Sequence, residues 1–412
     1  MAISRRNLLR GAGGVAAAAA LAACGSNTGR SGSGKSLSQW YHQYGEAGTQ
    51  QAAEKFAKAY KDANVTIQWI PGEYDQKLNS SLLTDDGPDV FEGHFNAQMA
   101  KSNQVVPLDD IIADVKSDFS EIDIASNTYN GKLYGIRMID DPQLFIYRKS
   151  MLDKAGIKPP TTFDELIAAA KALTTKDVKG LFLGNDDAVD WAANQMLAST
   201  GQRFLTPDKK VGFNSDKTVA ALIKVKELVD AKVTLTGAPT NWWDPSAFNQ
   251  GLCAMSRQGM WAIPGIKQAI GDDFGVFPSP AFDGGTQAIY LGGWTTFVSA
   301  KSKNVEAAKK FVRWLWIDQT AYQEEWSLNY GFHIPPRKSI AAKATKLQSG
   351  QAAETLKFTQ QFGWVDDPNW TEAMKTAMKD MCSNVFLKGA DPRAELATAV
   401  GKVENELKTL VG

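Results

Sequence analysis

The sequence predicts an α/β fold with a mainly parallel sheet, divided between two domains. Three observations predict it. Short runs rich in β-branched and aromatic residues alternate with amphipathic stretches of helical period. Once an N-terminal leader is set aside, about 390 residues remain, more than one ordinary core accommodates. The chain is 43% apolar and 22% charged, a globular composition, with Lys+Arg and Asp+Glu balanced at 45 each.

Residues 37–42 read as a strand, and residues 49–60 as a helix with Ala53, Phe56, Ala57 and Tyr60 on one face. Residues 65–70 form a strand stopped by Pro71-Gly72, residues 74–83 a helix, and residues 88–91 a short strand. Thr162-Phe163-Asp164-Glu165 is a capping box: Thr162 can accept from the amide of Glu165, whose carboxylate can reach back. Its helix runs to Leu173 and is preceded by Pro159-Pro160. Residues 187–200 and 215–232 are further helices, and residues 295–299 are a strand. Asn304 is expected to cap a helix that buries Ala308, Phe311 and Leu315. From Ser339 onwards the chain reads as helical, with a break at residues 389–392. No internal repeat is visible.

Residues 1–23 stand apart from this pattern. Arg5 and Arg6 precede thirteen small or apolar residues, 11–23, too few to cross a bilayer, which takes ~20. A charged start, a short apolar middle and a small-residue end make a secretory signal, and Arg5-Arg6 with Leu8-Leu9 points to twin-arginine export. The signal ends in Leu21-Ala22-Ala23-Cys24, which resembles the lipobox of bacterial lipoproteins and implies cleavage before Cys24 and a diacylglyceryl group on its sulfur. The mature chain is therefore expected outside the cell membrane, held by lipid alone. Without Arg5, Arg6 and Arg10 the formal charge moves from 0 to −3, which argues against a nucleic-acid partner.

Residues 24–36 are Gly/Ser-rich and read as a flexible tether. Residues 29–36 also spell a P-loop letter by letter, but a P-loop must follow a buried strand and open a helix, and this segment does neither. With Cys24 assigned to lipid, Cys253 and Cys382 either form a disulfide, which an oxidising compartment permits, or remain two buried thiols.

Several segments together resemble the family 1 extracellular solute-binding proteins of ABC importers. They are Gly87-Pro88-Asp89-Val90 with Val106-Pro107-Leu108-Asp109, then Asn130-Gly131-Lys132-Leu133-Tyr134-Gly135-Ile136 with Tyr147-Arg148-Lys149, then residues 248–261 ending in Gly259-Met260-Trp261, and finally Gly292-Gly293-Trp294 and Gly331-Phe332-His333-Ile334-Pro335. Arg137 and Leu252 depart from it, where the family commonly has proline and lysine. The resemblance implies a two-lobed periplasmic-binding-protein-like (type II) fold with a hinge and an interlobe cleft. Lobe 1 would comprise residues 37–141 and 292–338, and lobe 2 residues 142–291 and 339–412. The chain would cross near residues 140–144, near 288–293 and again after His333. It also implies a sugar as small-molecule ligand, ABC permease subunits as partners, a monomer, no cofactor and no metal.

A sugar offers an apolar C–H face and a rim of hydroxyls, so its cleft needs aromatic planes together with carboxylates, amides or arginine. The candidates at strand ends and crossings are Tyr41, His42, Tyr44, Glu92, His94, Asp140, Asp141, Trp191, Trp242, Trp243, Trp261, Gly293, Trp294 and His333. Trp69, Trp326, Trp364, Trp370 and at least one of Trp314 and Trp316 are expected to pack instead.

A secreted glycoside hydrolase is the rival class. It would need two carboxylates at a set separation, which a sequence does not reveal. No Gly-x-Ser-x-Gly elbow or His-Glu-x-x-His motif occurs, and a count of three histidines argues against a histidine-rich metal site.

Overall fold

The computed structural model describes residues 36–411. The leader, the lipobox with Cys24 and nearly all of the tether lie outside the described residues. The chain begins with β1 (Ser36–His42), α1 (Thr49–Ala59), β2 (Asn64–Ile70), α2 (Tyr74–Leu82) and β3 (Val90–Gly93). The long β4 (Ile136–Tyr147) leads to α3 (Phe163–Leu173), β5 (Lys179–Phe182), α4 (Asp216–Asp230), β6 (Cys253–Gly259) and β7 (Gly275–Phe277). A second long strand, β8 (Ile289–Val298), returns to α5 (Val305–Arg313). The chain closes with β9 (Gly363–Trp364), α6 (Glu372–Lys388) and α7 (Pro392–Val411).

Among the described residues nine strands share one sheet, ordered β2-β1-β3-β8-β4-β6-β5, with β7 on β4 and β9 on β8. The expectation of a mainly parallel sheet holds only towards its two edges. β1 pairs parallel with β2 and β3, and β5 with β6, but β8 and β4 pair antiparallel with each other and with their other neighbours in that order. The physical reason is the crossing itself: the chain leaves the first lobe along β4 and returns along β8, so the two strands run in opposite directions.

Packing changes sides along these two strands. Ile136, Met138 and Ile139 join the apolar cluster of Leu37, Phe56, Phe311 and Trp326. A few residues on, Leu144 and Ile146 join Phe182, Phe248 and Ile266, and Phe145 joins Phe163, Trp191 and Met378. Ile289 packs on that second side, while Phe297 and Val298 pack on the first. Between them Gly293 has φ 117°, and a Cβ there would stand 2.1 Å from the Ile139 carbonyl oxygen, so glycine lets the two crossing strands meet. The register slips next to it, between Trp294 and Thr295.

Local rules account for several helix ends. Thr162 and Glu165 make both bonds of the capping box, and the Ser215 hydroxyl accepts from the Thr218 amide to start α4. Asn304 does precede α5, but its side chain makes no cap; its amide donates to the Ser36 carbonyl at 3.4 Å instead. The helix expected over residues 187–200 begins at Val189 and carries a π-helical stretch, Ala192–Met196.

The possible disulfide is not formed. Cys253 and Cys382 are free and buried, in separate apolar clusters. Burial pushes the Cys253 thiol up to about 12, and raises that of Cys382 as well. Among the described residues no helix is long and apolar enough to cross a membrane, and no group of three metal-ligating side chains occurs.

Candidate functional site

The carboxyl ends of β1 and β3 lie side by side because the two strands pair in parallel, and this end of an α/β sheet is where ligands bind. Glu92, buried at 1% exposure, organises the corner. Its Oε1 accepts from the His42 amide at 2.8 Å and meets His42 Nδ1 at 2.5 Å, and its Oε2 accepts from the Tyr44 hydroxyl at 2.7 Å. Its carbonyl accepts from the Tyr74 hydroxyl at 2.7 Å. The His42 ring is thereby presented flat to Trp294, with centroids 3.9 Å apart and planes 18° from parallel. The His94 ring stands 4.6 Å from the same indole. Solvent reaches His94, yet the surrounding walls and the nearby cations Lys375 and Arg137 disfavour its charge and lower its pKa.

Asp140, Asp141 and His333 sit at the crossing. Ile334 exchanges backbone bonds with Asp140, at 3.0 and 2.9 Å, and this sets His333 beside β4. His333 Nδ1 lies 2.5 Å from Asp141 Oδ1, and its Nε2 lies 3.2 Å from Glu46. Burial opposes charge on this ring, but Asp141 and Glu46 outweigh it and hold the pKa up at about 10. Asp140 accepts from Arg137 Nε at 2.7 Å, and the Arg137 guanidinium also donates to the Gly292 carbonyl of β8. Burial, with Asp123 alongside, raises the Asp140 carboxyl well above the usual range in spite of Arg137. All three predicted residues are therefore near the cleft but already bonded to the protein.

Against the second-lobe cluster of Phe182, Phe248 and Ile266, the loop before β6 carries Trp242 and Trp243, and the turn after β6 carries Trp261. The Trp242 ring lies 6.2 Å from that of Trp243 and 6.0 Å from that of Trp261. Trp261 Nε1 donates to the Trp243 carbonyl at 3.1 Å, fixing the cluster. Trp243 is 53% exposed, a large apolar ring left in solvent. Behind it the Arg257 guanidinium lies 3.6 Å from the centre of the Trp242 ring and donates to Asp190 at 2.8 Å and to Gln143 at 2.9 Å.

Two predicted residues are placed elsewhere. Trp191 is fully buried in its lobe, stacked on Phe163 at 5.7 Å and edge-on to Phe145 at 6.1 Å, because its helix turns that face inward. Tyr41 is 1% exposed and packs against Trp69 and Trp326; its hydroxyl accepts from Gln39 at 2.7 Å. Trp316, Trp326 and Trp370 are buried, as expected. Sequence reasoning passed over Gln143, Asp190, Arg257, Tyr290, Asp366 and Lys375. Arg257 carried a signal: a charged residue amid the otherwise uncharged run of a buried strand, inside the motif of residues 248–261. Tyr290, whose hydroxyl donates to Asp366 at 3.3 Å, had none.

Between the lobes His94, Arg137, Tyr290, Asp366 and Lys375 line a cavity of only about 50 Å³. Small-molecule sites occupy ~300–1,000 Å³, so this cavity as it stands is smaller than such a site.

Two α/β lobes joined by two long crossing strands define a two-lobed binding protein. The chain belongs to the family described as bacterial extracellular solute-binding protein, whose profile matches residues 40–316, and membership carries an extracytoplasmic location with it. An arabinooligosaccharide-binding protein of Bacillus subtilis is 25% identical over 300 residues, 67% of each chain. The diacetylchitobiose binding protein of Streptomyces coelicolor is 26% identical over 98% of each chain. The GacH receptor of Streptomyces glaucescens, solved unliganded and with acarbose, superposes with a TM-score of 0.78 at 25% identity, covering 91% of this chain and 98% of that one. These relatives are binding proteins.

Proposed function

We propose that this protein is the capture component of an ABC importer for a carbohydrate, tethered outside the cell membrane through lipid on Cys24 after twin-arginine export. It acts as a monomer and without catalysis: the lobes part, a sugar enters, closure buries it, and the closed form delivers it to the permease. Lobe 1 comprises residues 37–141 and 292–338 and lobe 2 residues 142–291 and 339–412. The lipobox at Leu21–Cys24 supports the anchor, and the relatives named for arabinooligosaccharide and diacetylchitobiose support the ligand class.

The observation that carries the reading is the pair of aromatic walls. The His42–Trp294 stack stands on one lobe, and Trp242, Trp243 and Trp261 stand on the other. Rings present faces to the C–H surface of a sugar, while Glu92, His94, Gln143 and Tyr290 border them with polar groups for hydroxyls. Asp140, Asp141, His333 and Gly293 shape the crossing, while Tyr41 and Tyr44 support the wall from behind.

Melting of residues 36–412 with a panel of mono- and oligosaccharides tests this. Ligand at 100 times its Kd stabilises a folded protein by ~2.7 kcal/mol, a shift of roughly 1–4 °C for a chain of this size. A saturable shift with ligand recovered unchanged is expected; flat melting across the panel sinks the carbohydrate assignment, and turnover of a glycoside sinks the non-catalytic one.

A further inference from the structure

The charges around the gap follow a pattern that narrows the ligand further. Arg137 pairs with Asp140 at 2.7 Å. Arg257 pairs with Asp190 at 2.8 Å, and Lys375 with Glu372 at 2.8 Å. Glu92 faces His42 at 2.5 Å, and His333 faces Asp141 at 2.5 Å and Glu46 at 3.2 Å. Asp367 accepts from Lys209 at 2.6 Å, and Asp366 from the Tyr290 hydroxyl.

The two arginines are the groups most suited to gripping an anion, since a guanidinium can hold a carboxylate or phosphate through two parallel bonds. Both meet internal acceptors, although Arg257 Nε is buried without a hydrogen-bond partner. Arg137 is 9% exposed and divides its donors between Asp140 and the carbonyls of Gly292 and Gly293. Arg257 is 3% exposed, covered by Trp242, and divides its donors between Asp190 and Gln143. An anionic ligand would have to displace Asp140, which is buried, or Asp190, whose side chain is 33% exposed, and leave that carboxylate without its arginine. A cationic ligand would have to win Glu92, whose two oxygens already accept three contacts. A charge buried by lobe closure without a partner is strongly disfavoured, and unpaired charge is an effective way to reject a competitor.

From this internal pairing we infer that the cleft selects uncharged saccharides and rejects sugar acids, sugar phosphates and amino sugars carrying a free ammonium. The inference rests on the carbohydrate reading above. Asp190 acts here as a positioning residue: it keeps Arg257 occupied and away from the ligand.

The test is calorimetric binding of wild type and Asp190→Asn to glucose, xylose, cellobiose and N-acetylglucosamine, each beside glucuronate, glucose 6-phosphate and glucosamine, in 20 mM and 500 mM salt. For wild type, a neutral saccharide binds with a Kd that moves less than about twofold with salt, because no ligand charge is screened. Its charged counterparts bind roughly tenfold or more weakly. Asp190→Asn frees Arg257 and narrows the gap for the two anions, glucuronate and glucose 6-phosphate, but not for glucosamine. A charged sugar that binds wild type as tightly as its neutral counterpart, or a Kd that weakens about tenfold in high salt, overturns the inference and leaves the carbohydrate reading standing. If no saccharide of either kind binds, the carbohydrate reading fails first and this inference with it. Should Asp190→Asn fail to fold, the salt series on wild type decides alone.

Discussion

His333 Nδ1 and Asp141 Oδ1 lie 2.5 Å apart across 192 residues of sequence, joining the third crossing segment to β4 at the point where the chain changes lobes. With Glu46 on its other nitrogen, His333 is held as a buried cation between two carboxylates.

This pair makes stability fall with rising pH. The folded pKa of His333 is about 10, against 6.5 for an ordinary histidine. A raised pKa means the stabilisation is complete below 6.5 and is lost progressively up to about 10. The loss is of the order of a few kcal/mol. Chemical denaturation of wild type and His333→Gln at pH 6, 8 and 10 measures it. The variant is expected to be the less stable at pH 6, with the two converging at pH 10; parallel curves would refute the charged pair.

Trp243 separates binding from folding. With 53% of its surface exposed it adds little to the core. Trp243→Ala should leave stability within about 0.5 kcal/mol of wild type. If the ring meets the ligand, affinity falls by roughly 0.5–1.5 kcal/mol, or about two- to tenfold. Unchanged affinity would remove Trp243 from the site.

Gly293→Ala should damage the crossing. The residue holds φ 117°, and the added methyl meets the Ile139 carbonyl at 2.1 Å. A cost of about 2 kcal/mol or more is expected, read as a lower Tm. A neutral result would mean the strands are less tightly apposed than described.

Cys253 and Cys382 should each take up one alkyl group after unfolding without reductant, and neither while folded, since both are buried with raised pKa. Dithiothreitol should leave the Tm unchanged. A Tm that falls on reduction would show a bridge between them.

Much of this was legible beforehand. The spacing of Ala53, Phe56 and Ala57 placed α1 to within a residue, and Thr162 with Glu165 marked the start of α3. Strand β8 was recognised only at its far end, because Ile289–Val298 carries two glycines where it crosses, and glycine there reads as a break. Of the candidate residues, His42, Glu92, His94 and Trp294 come together in one cluster and Trp242, Trp243 and Trp261 in another, whereas Trp191 and Tyr41 are packed in their lobes. A tryptophan after a polar turn looks the same in sequence whether its helix turns it inward or outward.

By itself the sequence determined the alternation of strands and helices, the export signal's pattern, and the order of motifs that marks the family. These depend on neighbours within a turn or a strand, where periodicity and capping act. Only the tertiary structure decided which rings cluster, that the two thiols are buried in separate clusters, and that Arg137 and Arg257 each meet an aspartate. Those outcomes rest on contacts such as His42 with Glu92, 50 residues apart, and Arg257 with Gln143, 114 apart. Burial and pairing are set by which segments the fold brings together, and local sequence carries no record of that.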